Sequence, residues 1–144
     1  MRIGTSLSLV LGCLLIVCFA SRALAKDQFE KTSWKIKVSP TEESQKQGKE
    51  FEDTVSFKGG KIESKTLKAK GFKAAQYEED TRSGIISTFK ATMTSEKEGK
   101  AEWTGTLTGS EIKGELKWTK ADGTVVNYTY EGTKSDKYEG SKSD

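Results

Sequence analysis

From Trp34 onward, apolar and polar residues alternate in short runs, the period-two pattern of strands that bury one face. Trp34, Ile36 and Val38 alternate with Lys35 and Lys37, and Phe51, Val55 and Phe57 alternate with Glu52, Thr54 and Ser56. Beyond Gly59-Gly60, Ile62 and Ser64 begin a third strand. Ala75, Tyr77 and Glu79 form a fourth, after a short helical or irregular segment near 67–72. Ile85, Ser87, Phe89, Ala91 and Met93 then share one face, with Thr88, Lys90 and Thr92 on the other. Ala101, Trp103, Gly105 and Leu107 follow, then Ile112, Gly114, Leu116 and Trp118, and Val126, Tyr128 and Tyr130 complete the series.

The pattern predicts eight strands joined by short turns. Thr108-Gly109-Ser110-Glu111 and Ala121-Asp122-Gly123-Thr124 carry hairpin chemistry, because glycine reaches positive φ without steric cost. Residue sizes suggest the register. With Leu107 opposite Ile112, Gly105 meets Gly114 and Trp103 meets Leu116. The neighbouring hairpins then set Phe89 beside Gly105, Ala91 beside Trp103 and Tyr130 beside Gly114. Large residues thus cover small ones. The interior glycines either mark bends of a coiled sheet or make room for aromatic neighbours. The expected fold is all-β, an eight-stranded antiparallel up-and-down meander closed into a barrel, which leaves no exposed edge. A Greek-key sandwich is the alternative, but it needs longer crossing connections.

Two segments break the pattern. Ser39–Lys49 is polar, holds the only proline, Pro40, and reads as a loop with a helical turn over a barrel end. The tail carries a near-repeat, Tyr130-Glu131-Gly132-Thr133-Lys134-Ser135-Asp136 and then Tyr138-Glu139-Gly140-Ser141-Lys142-Ser143-Asp144. Its second copy has only Tyr138 to bury, so disorder is expected beyond about Thr133.

The first 25 residues are of another kind. Arg2 precedes an almost unbroken apolar run, Leu7–Ala20, and Ala23-Leu24-Ala25 ends in the small-x-small pattern of signal-peptide cleavage. The run is too short to span a bilayer comfortably. The organisation expected is a signal peptide at 1–25, a barrel domain at 26–132 and a disordered tail at 133–144, with the product periplasmic or secreted. Cys13 and Cys18 both lie in the leader. Val10-Leu11-Gly12-Cys13 faintly matches a lipoprotein box, but cleavage there would leave a strongly apolar start. The mature chain therefore has no cysteine and must be held together by its core alone.

Cleavage also removes Arg2 and Arg22, leaving 22 of the 24 basic residues against 21 acidic ones and lowering the net charge from +3 to +1. The charges are interspersed, which argues against nucleic acid or an anionic membrane as the main partner. The mature chain contains neither His nor Cys. Nucleophilic triads, imidazole acid-base chemistry and zinc or haem sites built on those ligands are thereby excluded. No phosphate-cradling loop is present, and no catalytic residue, metal or cofactor is assigned. Asp53 and Glu79, both on inward positions, could form a carboxylate pair for glycoside hydrolysis, or could sit at barrel rims and reach water. Glu78-Glu79-Asp80 lacks the spacing of a calcium loop, and Asn127-Tyr128-Thr129 matches a glycosylation acceptor in mid-strand, where chance explains it.

Inward polar residues suggest a different task. Asp53, Ser64, Thr66, Tyr77, Glu79, Ser87, Tyr128 and Tyr130 would point to the barrel interior or its mouth. Trp34, Trp103 and Trp118 would form walls, and Asp53, Tyr128 and Tyr130 would orient a ligand, with Ser64, Tyr77 and Ser87 completing the candidate set.

The chain resembles an uncharacterised group of exported small bacterial proteins. The likeness rests on Phe29-x4-Trp34-Lys35-Ile36, on Trp103-Thr104-Gly105, and on Gly114-Glu115-Leu116-Lys117-Trp118 followed by Asp122-Gly123. In strand pattern, from about 29 to 132, it is similar to lipocalin-like and avidin-like barrels. That resemblance implies a small molecule bound within. The lipocalin Gly-x-Trp opening reads Thr32-Ser33-Trp34 here, without its glycine, so no family site residue carries over.

The expectation is a monomeric, non-enzymatic exported barrel that binds a small hydrophobic or amphipathic ligand. The alternative is a structural or protein-interaction module with a filled core that acts through its surface. A carboxylate-based hydrolase is a remote third. An open interior of about 300 Å³ or more would favour the first and a filled one the second.

Overall fold

A computed structural model describes residues 28–83 and 86–136. The expected leader, Ile85 and the second tail repeat lie outside the described residues. Eight strands follow one another: β1 Thr32–Pro40, β2 Phe51–Lys58, β3 Lys61–Ser64, β4 Ala75–Ser83, β5 Ile86–Ser95, β6 Gly99–Thr108, β7 Glu111–Thr119 and β8 Val125–Lys134. Each pairs antiparallel with the next, and β8 pairs with β1, so the sheet closes into a barrel in simple meander order. A 3₁₀ turn, Glu42–Ser44, sits in the loop between β1 and β2, and one short helix, α1 Lys65–Ala69, joins β3 to β4. Among the described residues, no helix is long and apolar enough to cross a membrane.

The size-matched register is the one found. Leu107 pairs with Ile112, Gly105 with Gly114 and Trp103 with Leu116. Phe89 and Ala91 stand opposite Gly105 and Trp103, and Tyr130 stands opposite Gly114. The glycines make room. A Cβ on Gly105 would run into Tyr130 Oη and Phe89 Cε1, and one on Gly114 into Tyr130 Oη and the Thr104 carbonyl. The Tyr130 hydroxyl crosses this gap and donates to Thr104 O at 2.8 Å.

Three boundaries differ from the sequence reading. β1 continues through Ser39 and Pro40, which pair with Thr129 and Tyr128 of β8. β2 pairs with β1 only as far as Val38, so the N–H that Pro40 lacks has no partner strand to serve on that side. β8 runs on to Lys134, because β1 offers partners that far, and the Ser135 N–H then donates to Ser33 O at 2.8 Å. The helix starts at Lys65 rather than near Leu67, because Ser64 caps it by accepting from Leu67 N at 3.1 Å.

Alternation carries Trp34, Val38, Phe57, Ile62, Met93, Ala101, Ile112 and Leu116 into one continuous core. Two devices close its ends. At the end that holds the Gly59-Gly60 turn, Phe29, ahead of β1, is fully buried. At the other end, Leu67 and Phe72 from the α1 connection cover the core, with Phe72 edge-on to Trp118 at 5.6 Å.

Candidate functional site

The nine predicted ligand residues all come from inward strand positions or the cap of α1, and eight are buried, Tyr77 being half-buried. They do not meet around one chamber. They fall into separate groups along the barrel.

Asp53 and Ser64 belong to the start of α1. The Asp53 carboxylate accepts from Thr54 N at 2.8 Å, from Thr66 N at 2.9 Å and from the Ser64 hydroxyl. Thr66 also donates weakly to Glu52 O at 3.4 Å. These bonds engage both carboxylate oxygens. Asp53 ties β2 to the helix, as a buried charge must be tied to something.

Trp103 and Tyr130 occupy the middle, edge to face at 5.3 Å. Burial holds the Tyr130 phenol far above its usual pKa, so the hydroxyl remains a neutral donor to Thr104 O. Trp103 is 1% exposed, and its Nε1 has no hydrogen-bond partner among the described residues. The other two tryptophans are satisfied: Trp34 Nε1 donates to Thr32 Oγ1 at 2.9 Å and Trp118 Nε1 to Glu98 O at 2.8 Å. Trp118 closes the α1 end, and Tyr128 packs edge-on against Phe51 at 5.7 Å beneath the 41–50 loop.

Tyr77 and Ser87 lie at the opposite end with Glu79. The Ser87 hydroxyl bonds the Thr81 hydroxyl at 3.1 Å, and Thr81 donates to Glu79 Oε1 at 3.1 Å. Gln28 N also donates to that oxygen, at 3.3 Å. Asp53 and Glu79 thus serve opposite ends of the barrel, and the geometry does not assemble them as an acid-base pair. Among the described residues, no group of three or more His, Cys, Asp or Glu side chains could hold a metal ion.

Phe29 enters the sequence reading only through the Phe29-x4-Trp34 likeness, and its place in the core comes from the fold. Its ring meets Phe57 at 4.9 Å, Phe89 at 5.1 Å and Tyr77 at 6.0 Å, so three strands form walls and a residue outside the strands fills them. The signal was there: one isolated aromatic just before the first alternating run.

Large concavities among the described residues lie on the outside of the barrel. A groove of about 980 Å³ crosses β7, β8, β1 and β2, lined in part by Lys35, Lys37, Glu52, Lys113 and Glu131. Another, of about 650 Å³, crosses β4 to β7 between Glu78, Asp80, Lys90 and Glu115. Charge in the first groove alternates strand by strand, with Glu52 opposite Lys37, Lys37 opposite Glu131 and Glu131 opposite Lys113. Such cross-strand rows neutralise themselves. Comparison with protein-family models, curated proteins and solved structures found no match to this chain.

Proposed function

We propose that this chain is an exported, non-enzymatic barrel that acts through its outer surface, the middle of its interior serving as a packed core. The observation that carries the reading is the condition of the inward polar groups. Asp53, Ser64, Ser87, Trp34 and Tyr130 all bond to the protein itself, Trp103 Nε1 being the exception, and the aromatic rings between them are in contact. A ligand pocket instead needs apolar walls around space and polar groups with capacity to spare. The grooves outside are open to solvent across the strand faces. Export rests on the leader, Arg2 followed by Leu7–Ala20 and Ala23-Leu24-Ala25.

A photo-crosslinking amino acid placed at outward positions Thr54, Lys113 or Thr104 in producing cells tests the surface reading. Discrete adducts are expected from at least one position, on a product whose intact mass begins at Lys26. If outward positions give none, while the purified protein retains a small molecule in native mass spectrometry, the surface reading is lost.

One observation favours a second reading, an interior ligand. The fill at one end of the core comes from Phe29 on a short segment outside the barrel wall, not from the wall itself. Were that segment to leave, an aromatic chamber would open beside the Glu79, Thr81 and Ser87 oxygens.

A further inference from the structure

We infer that residues Gln28–Lys31 form a displaceable seal, and that the chamber Phe29 fills is a binding site for a monocyclic aromatic molecule with one hydrogen-bond donor. The inference rests on the interior-ligand reading and names its site, ligand class and gate.

Phe29 fits like a guest. It is fully buried, yet its backbone belongs to no strand, and its neighbours Phe57, Tyr77 and Phe89 come from β2, β4 and β5. The space that its departure would leave is the size and shape of a phenyl ring. Beside it, the Glu79 carboxylate already accepts an N–H from Gln28, and Thr81 and Ser87 continue the polar chain. A phenol would present a ring in place of Phe29 and an O–H in place of the Gln28 N–H.

The wall is thinnest at this place. β3 and β4 share only two residue pairs, Lys61 with Gln76 and Ile62 with Ala75, and the bond from Tyr77 N to Gly60 O follows at 3.1 Å. The segment is fastened beside this seam. Glu30 accepts from Gly59 N at 2.6 Å and from Gly60 N at 3.1 Å, bonds that are exposed or half-buried. These two are of the kind that open locally without global unfolding, while Phe29 O also accepts from Thr32 N at 3.1 Å and from the buried Thr32 hydroxyl, bonds that must break for the segment to swing out.

Lys31 supplies the hinge. It is the one non-glycine residue with positive φ among the described residues, at 57°. That conformation disfavours an L side chain, and the strain is relieved when the segment swings out. The closed state therefore carries a built-in handicap, which glycine would remove.

The test uses the purified protein with p-cresol as probe and p-xylene as its isostere without a donor. Affinity is read by NMR titration, and amide hydrogen exchange is followed at residues 28–32. Expected results are p-cresol binding tighter than p-xylene, and faster exchange at Thr32, whose N–H bonds Phe29 O at 3.1 Å, as p-cresol saturates. Lys31→Gly, which leaves every chamber residue in place, should weaken p-cresol about fivefold by favouring the closed state. Phe29→Ala should bind it more tightly than the parent, whereas Leu67→Ala, which opens a cavity at the opposite end, should gain nothing. Binding with no change in exchange at 28–32, affinity unchanged by Lys31→Gly, or binding by Phe29→Ala alone would each overturn the seal while leaving an interior ligand admissible. Absence of binding in both the parent and Phe29→Ala removes the site and the interior reading together.

Discussion

Asp53 separates a ligand-orienting carboxylate from a structural one, and its replacement can be worked through in numbers. It is 6% exposed and accepts three hydrogen bonds, from Thr54 N, Thr66 N and the Ser64 hydroxyl. Asp53→Ala removes all three. The two backbone N–H groups are part-buried and regain some solvation, so each is worth about 1 kcal/mol, while the buried Ser64 bond to a charged acceptor is worth about 1.5–3 kcal/mol. The expected loss is about 3–5 kcal/mol, a fall in Tm of roughly 15–25 °C for a domain of this size. Asp53→Asn keeps an acceptor and should cost roughly half as much. Thermal unfolding followed by circular dichroism at neutral pH measures both. A carboxylate held ready for a ligand commonly destabilises the free protein, so its removal would raise Tm or leave it unchanged. A loss below about 1 kcal/mol for Asp53→Ala would refute the bonding account.

Other perturbations test other parts of the fold. Tyr130 has its pKa raised from the model-peptide value of 10.0 by burial, so its contribution is complete below pH 10 and is lost as pH rises and the unfolded chain ionises. Stability should fall by roughly 1.4 kcal/mol per pH unit above that point on its account, and Tyr130→Phe should flatten the alkaline limb in urea titrations at matched pH. Gly105→Ala should destabilise by about 2–3 kcal/mol, because the added methyl meets Tyr130 and Phe89. Combined with Gly114→Ala the losses should not add in denaturant titrations, since both methyls meet the Tyr130 hydroxyl and the Gly114 methyl also meets Gly105 Cα. Glu131→Lys places three cations in the row with Lys37 and Lys113. It should lower Tm by a few degrees at low ionic strength and by less in about 1 M salt.

The barrel was legible because alternation survives in every strand and because hairpin register follows from volume. Trp103 opposite Ala91 and Phe89 opposite Gly105 leave little choice of pairing. Strand ends were less legible. Whether β1 stops at Val38 or Pro40 depends on how far β8 extends beside it, a non-local fact. Inward polar residues could be counted but not partnered from sequence. Asp53 reads the same whether it faces a ligand or the first turn of α1, and only the fold brings Thr66 N–H to it. Phe29 could be quoted for the Phe29-x4-Trp34 likeness but not placed as a plug, because periodicity describes strands and Phe29 acts from outside them.

If the core is packed as proposed, protein alone occupies the middle of this barrel, between Trp103 and Tyr130. Crystals pressurised with xenon test it most directly, since xenon enters dry cavities that water leaves empty. No xenon peak is expected within van der Waals reach of both rings. A well-occupied peak there, or density for a molecule accepting from Trp103 Nε1, would contradict it.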